Sequence, residues 1–233
     1  MVVILVFLTF AACILADWLI HGREVKKSRS AWVRPVEAVK QALSPPVYVG
    51  GFQMQPEMAF HPGHTWALPE GEDQVRVGID DFAHKLAGKA ETFGLPDMGT
   101  QVVQGKPAAV LSSKTKGKNV PLLSPVSGRV VAVNAMPLGP EKAQADPYGD
   151  GWLFVVQTRD LQTNLNNLLS GDLVRRWLED ASAHLRLRLG TVAGLSFPDG
   201  GTAVADLSAL ADEGAWSSLV REFLLTEPQT PSA

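Results

Sequence analysis

Three lysines spaced two apart, Lys114, Lys116 and Lys118, surround Gly117 in the stretch from Val110 to Pro121. Alternate spacing would place all three on one side of a strand, and Lys-Gly at a hairpin turn is a soluble edge device. His61-Pro62-Gly63-His64 offers two imidazoles on one turn. A structural zinc site needs four ligands, and no cysteine or third ligand stands nearby, so a loop histidine and a sheet-edge histidine are expected instead. His84 is expected to be exposed on a short helix. Asp80-Asp81 could act as an acid pair, but their place at a helix start favours capping. The one cysteine, Cys13, rules out a disulfide within the chain and a cysteine-based metal site. No nucleophile elbow, phosphate loop or zinc-helix motif is present, and Gly200-Gly201 reads as a hairpin turn. No catalytic residue, metal or enzymatic activity is expected.

The elements that must hold these residues begin as short strands. His64 to Leu68 and Val75 to Ile79 flank the turn Pro69-Glu70-Gly71-Glu72-Asp73. A helix capped by Asp80 or Asp81 runs through Leu86 and ends at Gly88. Ala90 to Leu95, Val102 to Leu111 with a break at Gly105-Lys106-Pro107, Val120 to Leu123, Arg129 to Asn134 and Trp152 to Gln157 are further strands. Many short strands between glycine and proline turns predict a sandwich or barrel. Residues 47 to 63 show no clear period. From Asp160 the spacing turns helical: Leu161, Leu165, Leu168 and Leu169, then, after Ser170-Gly171-Asp172, Leu173 to Leu189 with a stop at Gly190. Phe197 to Gly201 reads as a hairpin. A last stripe, Trp216, Leu219, Val220, Phe223 and Leu224, predicts a closing helix. These apolar faces are expected to pack within the chain, because an amphipathic helix must bury its face.

The 233 residues carry a net charge of −3, so no global basic field calls for nucleic acid. Charged residues are 19%, below the usual quarter or so. An added apolar segment explains this. Val2 to Leu15 carries no charge, and Met1 to Ile20 just meets the length of about 20 residues that a membrane helix needs. No lysine or arginine precedes it, whereas Arg23, Lys26, Lys27, Arg29 and Arg34 follow. That arrangement predicts an uncleaved single-pass anchor in the cytoplasmic membrane, with the N-terminus outside and the main domain cytoplasmic.

Residues 61 to 157 resemble the glycine cleavage H protein. The matching pieces come in order: His64-Thr65-Trp66, Val75 to Ala83, Leu86-Ala87-Gly88, Leu95 to Gly99, Gly105-Lys106-Pro107, Ser124-Pro125-Val126-Ser127-Gly128, Val133-Asn134, and Asp146 to Leu153. The resemblance implies a mainly β fold, the lipoyl-carrier flattened barrel or hammerhead sandwich of two small antiparallel sheets. It also implies a lysine at a hairpin tip that carries lipoic acid as an amide. The family motif reads roughly Glu-Ser-Val-Lys-Ala, with the lysine seven residues before the serine that is Ser124 here; that count lands on Gly117. If Val110 to Ser113 replaces the family's approach strand, Lys114 takes the lysine place, Leu111 stands where the acid belongs, and the hairpin is about three residues longer. Lys114 is then the candidate lipoyl attachment residue, with Lys116 and Lys118 as competitors.

The organisation expected is a transmembrane helix over 1–21, a basic linker and lead-in over 22–60, the H-protein-like β domain over 61–158, a C-terminal helical extension over 159–226 and a disordered tail over 227–233. The altered hairpin, the anchor and the added helices together predict a non-catalytic scaffold or accessory subunit without cofactor. Its partners would be protein subunits of a membrane complex of electron-transfer or photosynthetic type. It would touch lipid through residues 1–21 and would not bind nucleic acid. The alternative is a working membrane-tethered lipoyl carrier in a glycine-cleavage-like or related redox system.

Overall fold

The computed structural model describes residues 35, 38–39, 43–134, 146–193 and 203–230. The chain divides into Met1–Pro35 and Val36–Ala233, and the description below concerns the second unit. The expected anchor over 1–21, the first part of the linker, the turn at 197–201 and the end of the tail lie outside the described residues. Among the described residues no helix is long and apolar enough to cross a membrane.

Among the described residues eleven short strands form three antiparallel sheets. They are β1 (Val47–Val49), β2 (Phe52–Met54), β3 (Ala59–His61), β4 (Thr65–Pro69), β5 (Gln74–Ile79), β6 (Ala90–Gly94), β7 (Gln101–Val102), β8 (Pro107–Ser113), β9 (Lys118–Leu123), β10 (Gly128–Val133) and β11 (Phe154–Gln157). The largest sheet has the order β3-β4-β5-β11-β10-β7, the second β6-β8-β9, and β1 pairs only with β2. The expected flattened barrel is therefore not closed. Among the described residues no ladder joins the six-stranded sheet to the three-stranded one. Their apolar residues share one core instead: Leu111 and Val120 from the smaller sheet join Val77, Val130 and Phe154 from the larger.

β5 is buried at all six positions because it is paired on both sides, with β4 and β11. Opposite it on β4, Trp66 is fully buried and faces Gly78 in the register. A Cβ at Gly78 would lie 2.3 Å from the indole, so only glycine leaves room for that ring. The Trp66 indole N–H donates to the carbonyls of Ile79 and Pro147, at 3.0 and 3.2 Å. This ties the strand pair to the Asp146-to-Leu153 loop.

The predicted short helix is α1 (Asp81–Ala87). Asp80 caps it, accepting from Ala83 N, and it ends at Gly88 with φ +84°. Every residue of α1 is buried, His84 completely, against the expectation that His84 would be exposed. Phe82, Ala83 and Leu86 give α1 one apolar face by their spacing alone. The C-terminal segment covers another, where Leu207 N donates to the Lys85 carbonyl and the Trp216 indole N–H to the Leu86 carbonyl.

The helical extension holds α2 (Leu161–Asn166), α3 (Asp172–Ala193), a 3-10 turn (Ser208–Leu210) and α4 (Glu213–Phe223). Its apolar stripes pack inward: Val174, Leu178, Leu185 and Leu189 of α3, and Trp216, Leu219, Val220 and Phe223 of α4, are buried. α3 runs through Gly190 rather than stopping there. Residues 47 to 61, which lacked a period, form β1 to β3. Three-residue strands are too short to establish alternation. β3 pairs with β4, so the β structure begins ahead of residue 61. Part of the expected disordered tail is also placed, since Gln229 and Asn119 exchange backbone hydrogen bonds at 2.6 and 2.7 Å.

Candidate functional site

β8 and β9 form the hairpin that carries the three lysines. Ser113 faces Lys118 across the last rung, leaving Lys114-Thr115-Lys116-Gly117 as the connecting loop. Gly117 N donates to the Ser113 carbonyl at 2.8 Å, and Gly117 takes φ +61°, the left-handed conformation a tight turn requires. Along β8 the residues Ala109, Leu111 and Ser113 point inward. Leu111, at the place of the family's acid, is fully buried in the core. A carboxylate at that inward position would need a partner to offset desolvation.

The lysines expected to lie along one strand side are divided among three environments. Only Lys118 belongs to a strand. Its ammonium pairs with Glu213 Oε1 of α4 at 2.6 Å. The carboxyl of Glu213 is held below the usual value, first by the hydrogen bond from Lys118 and then by its charge. Lys116 donates from Nζ to the Ala211 carbonyl at 2.6 Å. Lys114 is exposed on the loop, and among the described residues its amine makes no hydrogen bond or ion pair. Its backbone is fixed all the same: Lys114 N donates to the Lys89 carbonyl at 2.7 Å.

The rest of the hairpin end is held by its surroundings. Thr115 Oγ1 donates to Asp206 Oδ2 at 2.7 Å, and Ser113 Oγ donates to the Ala87 carbonyl at 2.6 Å. Burial pushes Asp206 up, yet hydrogen bonds from Ser208, Thr115, Ala209 and Lys89 outweigh it and hold its pKa below the ordinary value. Asp206, Ala211, Glu213 and Gln229 therefore all belong to the site. Sequence reasoning missed them, because the Lys116–Ala211 contact joins residues 95 positions apart and no local motif marks it. The only available signal was the apolar stripe of α4, which had to bury itself somewhere.

The other candidate residues form a structural cluster. His64 Nδ1 lies 2.7 Å from Asp80 Oδ2, and its ring stacks on Phe82 at 4.0 Å between centroids. Asp81 pairs with Lys85 at 2.6 Å, both nearly buried. Burial raises the Asp81 pKa against the lowering effect of Lys85 and the Gln53 N–H. The Tyr148 hydroxyl donates to the Gln53 carbonyl at 2.6 Å; burial, then the charge of Asp80, raises its pKa well above the ordinary value. His61 lies at the end of β3 and its Nδ1 accepts from Gly63 N at 3.0 Å. Burial, aided by His64, lowers its pKa. His61 and His64 gather no third ligand, and among the described residues no group of three or more potential ligands could hold a metal.

The site is thus a buttressed hairpin that presents one free amine. A lysine amine so placed can accept an acyl group as an amide. The model for the family "Glycine cleavage H-protein" matches residues 58–181. The glycine cleavage system H protein of Xanthomonas campestris pv. campestris is 42% identical over 125 residues, covering 53% of this chain and 93% of its own length. That of Thermus thermophilus is 39% identical over 117 residues, covering 50% and 88%. A crystal structure of the H protein from Mycobacterium marinum shares 29% identity, covers 51% of this chain and 94% of its own, and aligns with a TM-score of 0.44. With more than half of its length matched by the family and nearly the full length of a relative aligned to it, the chain belongs to the glycine cleavage H-protein family.

Proposed function

We propose that this chain is a non-catalytic accessory subunit, in which an H-protein domain serves as a docking piece for other proteins at a membrane. One observation supports this above the rest. The hairpin that bears the carrier lysine in the family is here bound along its end to the chain's own C-terminal segment, through Asp206, Ala211, Glu213 and Gln229. An arm that must swing between active sites gains nothing from such a fixed base. A docking piece gains rigidity. The apolar run Val2 to Leu15, followed by basic residues, supplies the membrane tether in this reading, with the domain on the cytoplasmic side. The partners are subunits of a membrane complex of electron-transfer or photosynthetic type.

A second reading, a membrane-tethered lipoyl carrier, is favoured by the free and exposed amine of Lys114. Intact-mass measurement on protein purified from its own host separates the two. The docking reading expects the unmodified mass and co-migration with other proteins in gentle detergent. A lipoyl-sized increment on Lys114 establishes the carrier reading instead. A chain that runs alone from native membranes removes the docking one.

A further inference from the structure

The segment 203–230 does more at the hairpin than complete the core. It meets the hairpin end residue by residue: Asp206 at Thr115, the Ala211 carbonyl at Lys116, Glu213 at Lys118 and Gln229 at Asn119. We infer that this segment is a selectivity clamp, which withholds Lys116 and Lys118 from acyl transfer and leaves Lys114 as the accepting amine of the hairpin. The inference goes beyond the docking reading. It concerns which amine the fold offers to an acyl donor, whether or not the cell modifies it.

The chemistry sets the requirement. An ammonium first gives a proton to solvent. The freed nitrogen lone pair then attacks the acyl carbon, an N–C bond forms, the bond from that carbon to its leaving group breaks with its electron pair leaving on that group, and the nitrogen gives its second proton to solvent to become the amide. Attack needs the nitrogen turned outward. Lys116 reaches that state only by breaking its 2.6 Å hydrogen bond to the Ala211 carbonyl. Lys118 must leave Glu213, and its side chain is 22% exposed. Lys114 breaks nothing among the described residues, and its backbone is held in place by Lys89. The clamp has a firm base, because α4 is anchored through fully buried Trp216 and its hydrogen bond to Leu86. The contacts themselves are partly solvated, so they should bias the amines several-fold rather than block two of them outright.

The test is limited labelling of the full chain, in mild detergent, with a water-soluble N-hydroxysuccinimide ester of acetate, read by peptide mass spectrometry. The leaving group is N-hydroxysuccinimide. Each lysine's rate is divided by its rate in concentrated urea, which removes intrinsic differences. Lys114 should react about two- to five-fold faster than Lys116 and Lys118 on this scale. Glu213→Gln should bring Lys118 up toward Lys114, leave Lys114 unchanged and move Lys116 less than Lys118, because Glu213 acts on Lys116 through charge alone. Circular dichroism and a urea midpoint matching the parent confirm that the variant is folded. Equal normalised rates for the three lysines overturn the inference, as does a folded Glu213→Gln variant in which Lys118 does not speed up. Neither result depends on lipoate, so failure here is distinct from the native-mass result above.

Discussion

His84 is the residue whose surroundings cost the molecule most visibly. Its ring is completely buried, and among the described residues neither nitrogen has a hydrogen-bond partner. The edge-on ring of Phe93, at 6.1 Å, is its aromatic neighbour. Burial lowers its pKa from 6.5 to about 3. Between those values the unfolded chain takes up a proton that the folded chain refuses. Stability from this group is therefore present above about pH 6.5 and is lost as pH falls toward 3, by up to about 1.4 kcal/mol per unit. Asp81 acts in the opposite sense, since its raised folded pKa favours the fold as pH falls, and its contribution remains when His84 is replaced. His84→Leu should flatten the acid dependence. Urea midpoints measured from about pH 6.5 down to about pH 4.5 should decline more steeply in the parent than in the variant. Parallel slopes would mean that the imidazole does not stay neutral in the fold.

At the scale of elements, α4 is the brace between the hairpin and α1. Trp216 fills the contact, donates to the Leu86 carbonyl and sits beneath the residues that hold Lys116 and Lys118. Trp216→Ala should cost about 3–5 kcal/mol, since it opens a large cavity and orphans a buried carbonyl. Urea unfolding should show the midpoint shift. Hydrogen exchange should show lost protection in α1 and β8–β9 as well as in α4. A shift of under about 1 kcal/mol would place α4 outside the cooperative core.

For the molecule as a whole, the C-terminal extension is part of the domain rather than an appendage. Phe60 and Leu169 exchange backbone hydrogen bonds at 2.8 Å, which joins β3, at the edge of the large sheet, to the segment between α2 and α3. His64 meets Trp177 of α3 at 4.5 Å between centroids. Arg188 and His184 of α3 share Glu222 of α4. Removing residues 159–233 would uncover the sides of His64 and Phe82 that meet Trp177 and Phe223, and the face of α1 that meets Leu207 and Trp216. The truncated chain should lose cooperative unfolding and bind a hydrophobic dye, in contrast to the full chain. A sharp, two-state transition in the truncated chain would show that the β domain stands alone.

Much of this was legible in the residues. β4, β5, β8 to β11, α1 and α4 follow from turn glycines and prolines, from Asp80 at a cap position and from the spacing of Trp216, Leu219, Val220 and Phe223, because each is written in contiguous residues with a fixed period. The family was legible for the same reason, as its pieces lie in order along the chain. β1 to β3 were not, since a three-residue strand takes its structure from its partner rather than its own pattern. Nor was the burial of every residue of α1, which Trp216 of α4 helps to cover from 130 positions away. The hairpin shows the division most sharply. The sequence supplied three lysines and a glycine turn as equals. Contacts with residues 206 to 213 made them unequal, because a hydrogen bond between positions far apart in the chain exists only once the core between them has closed.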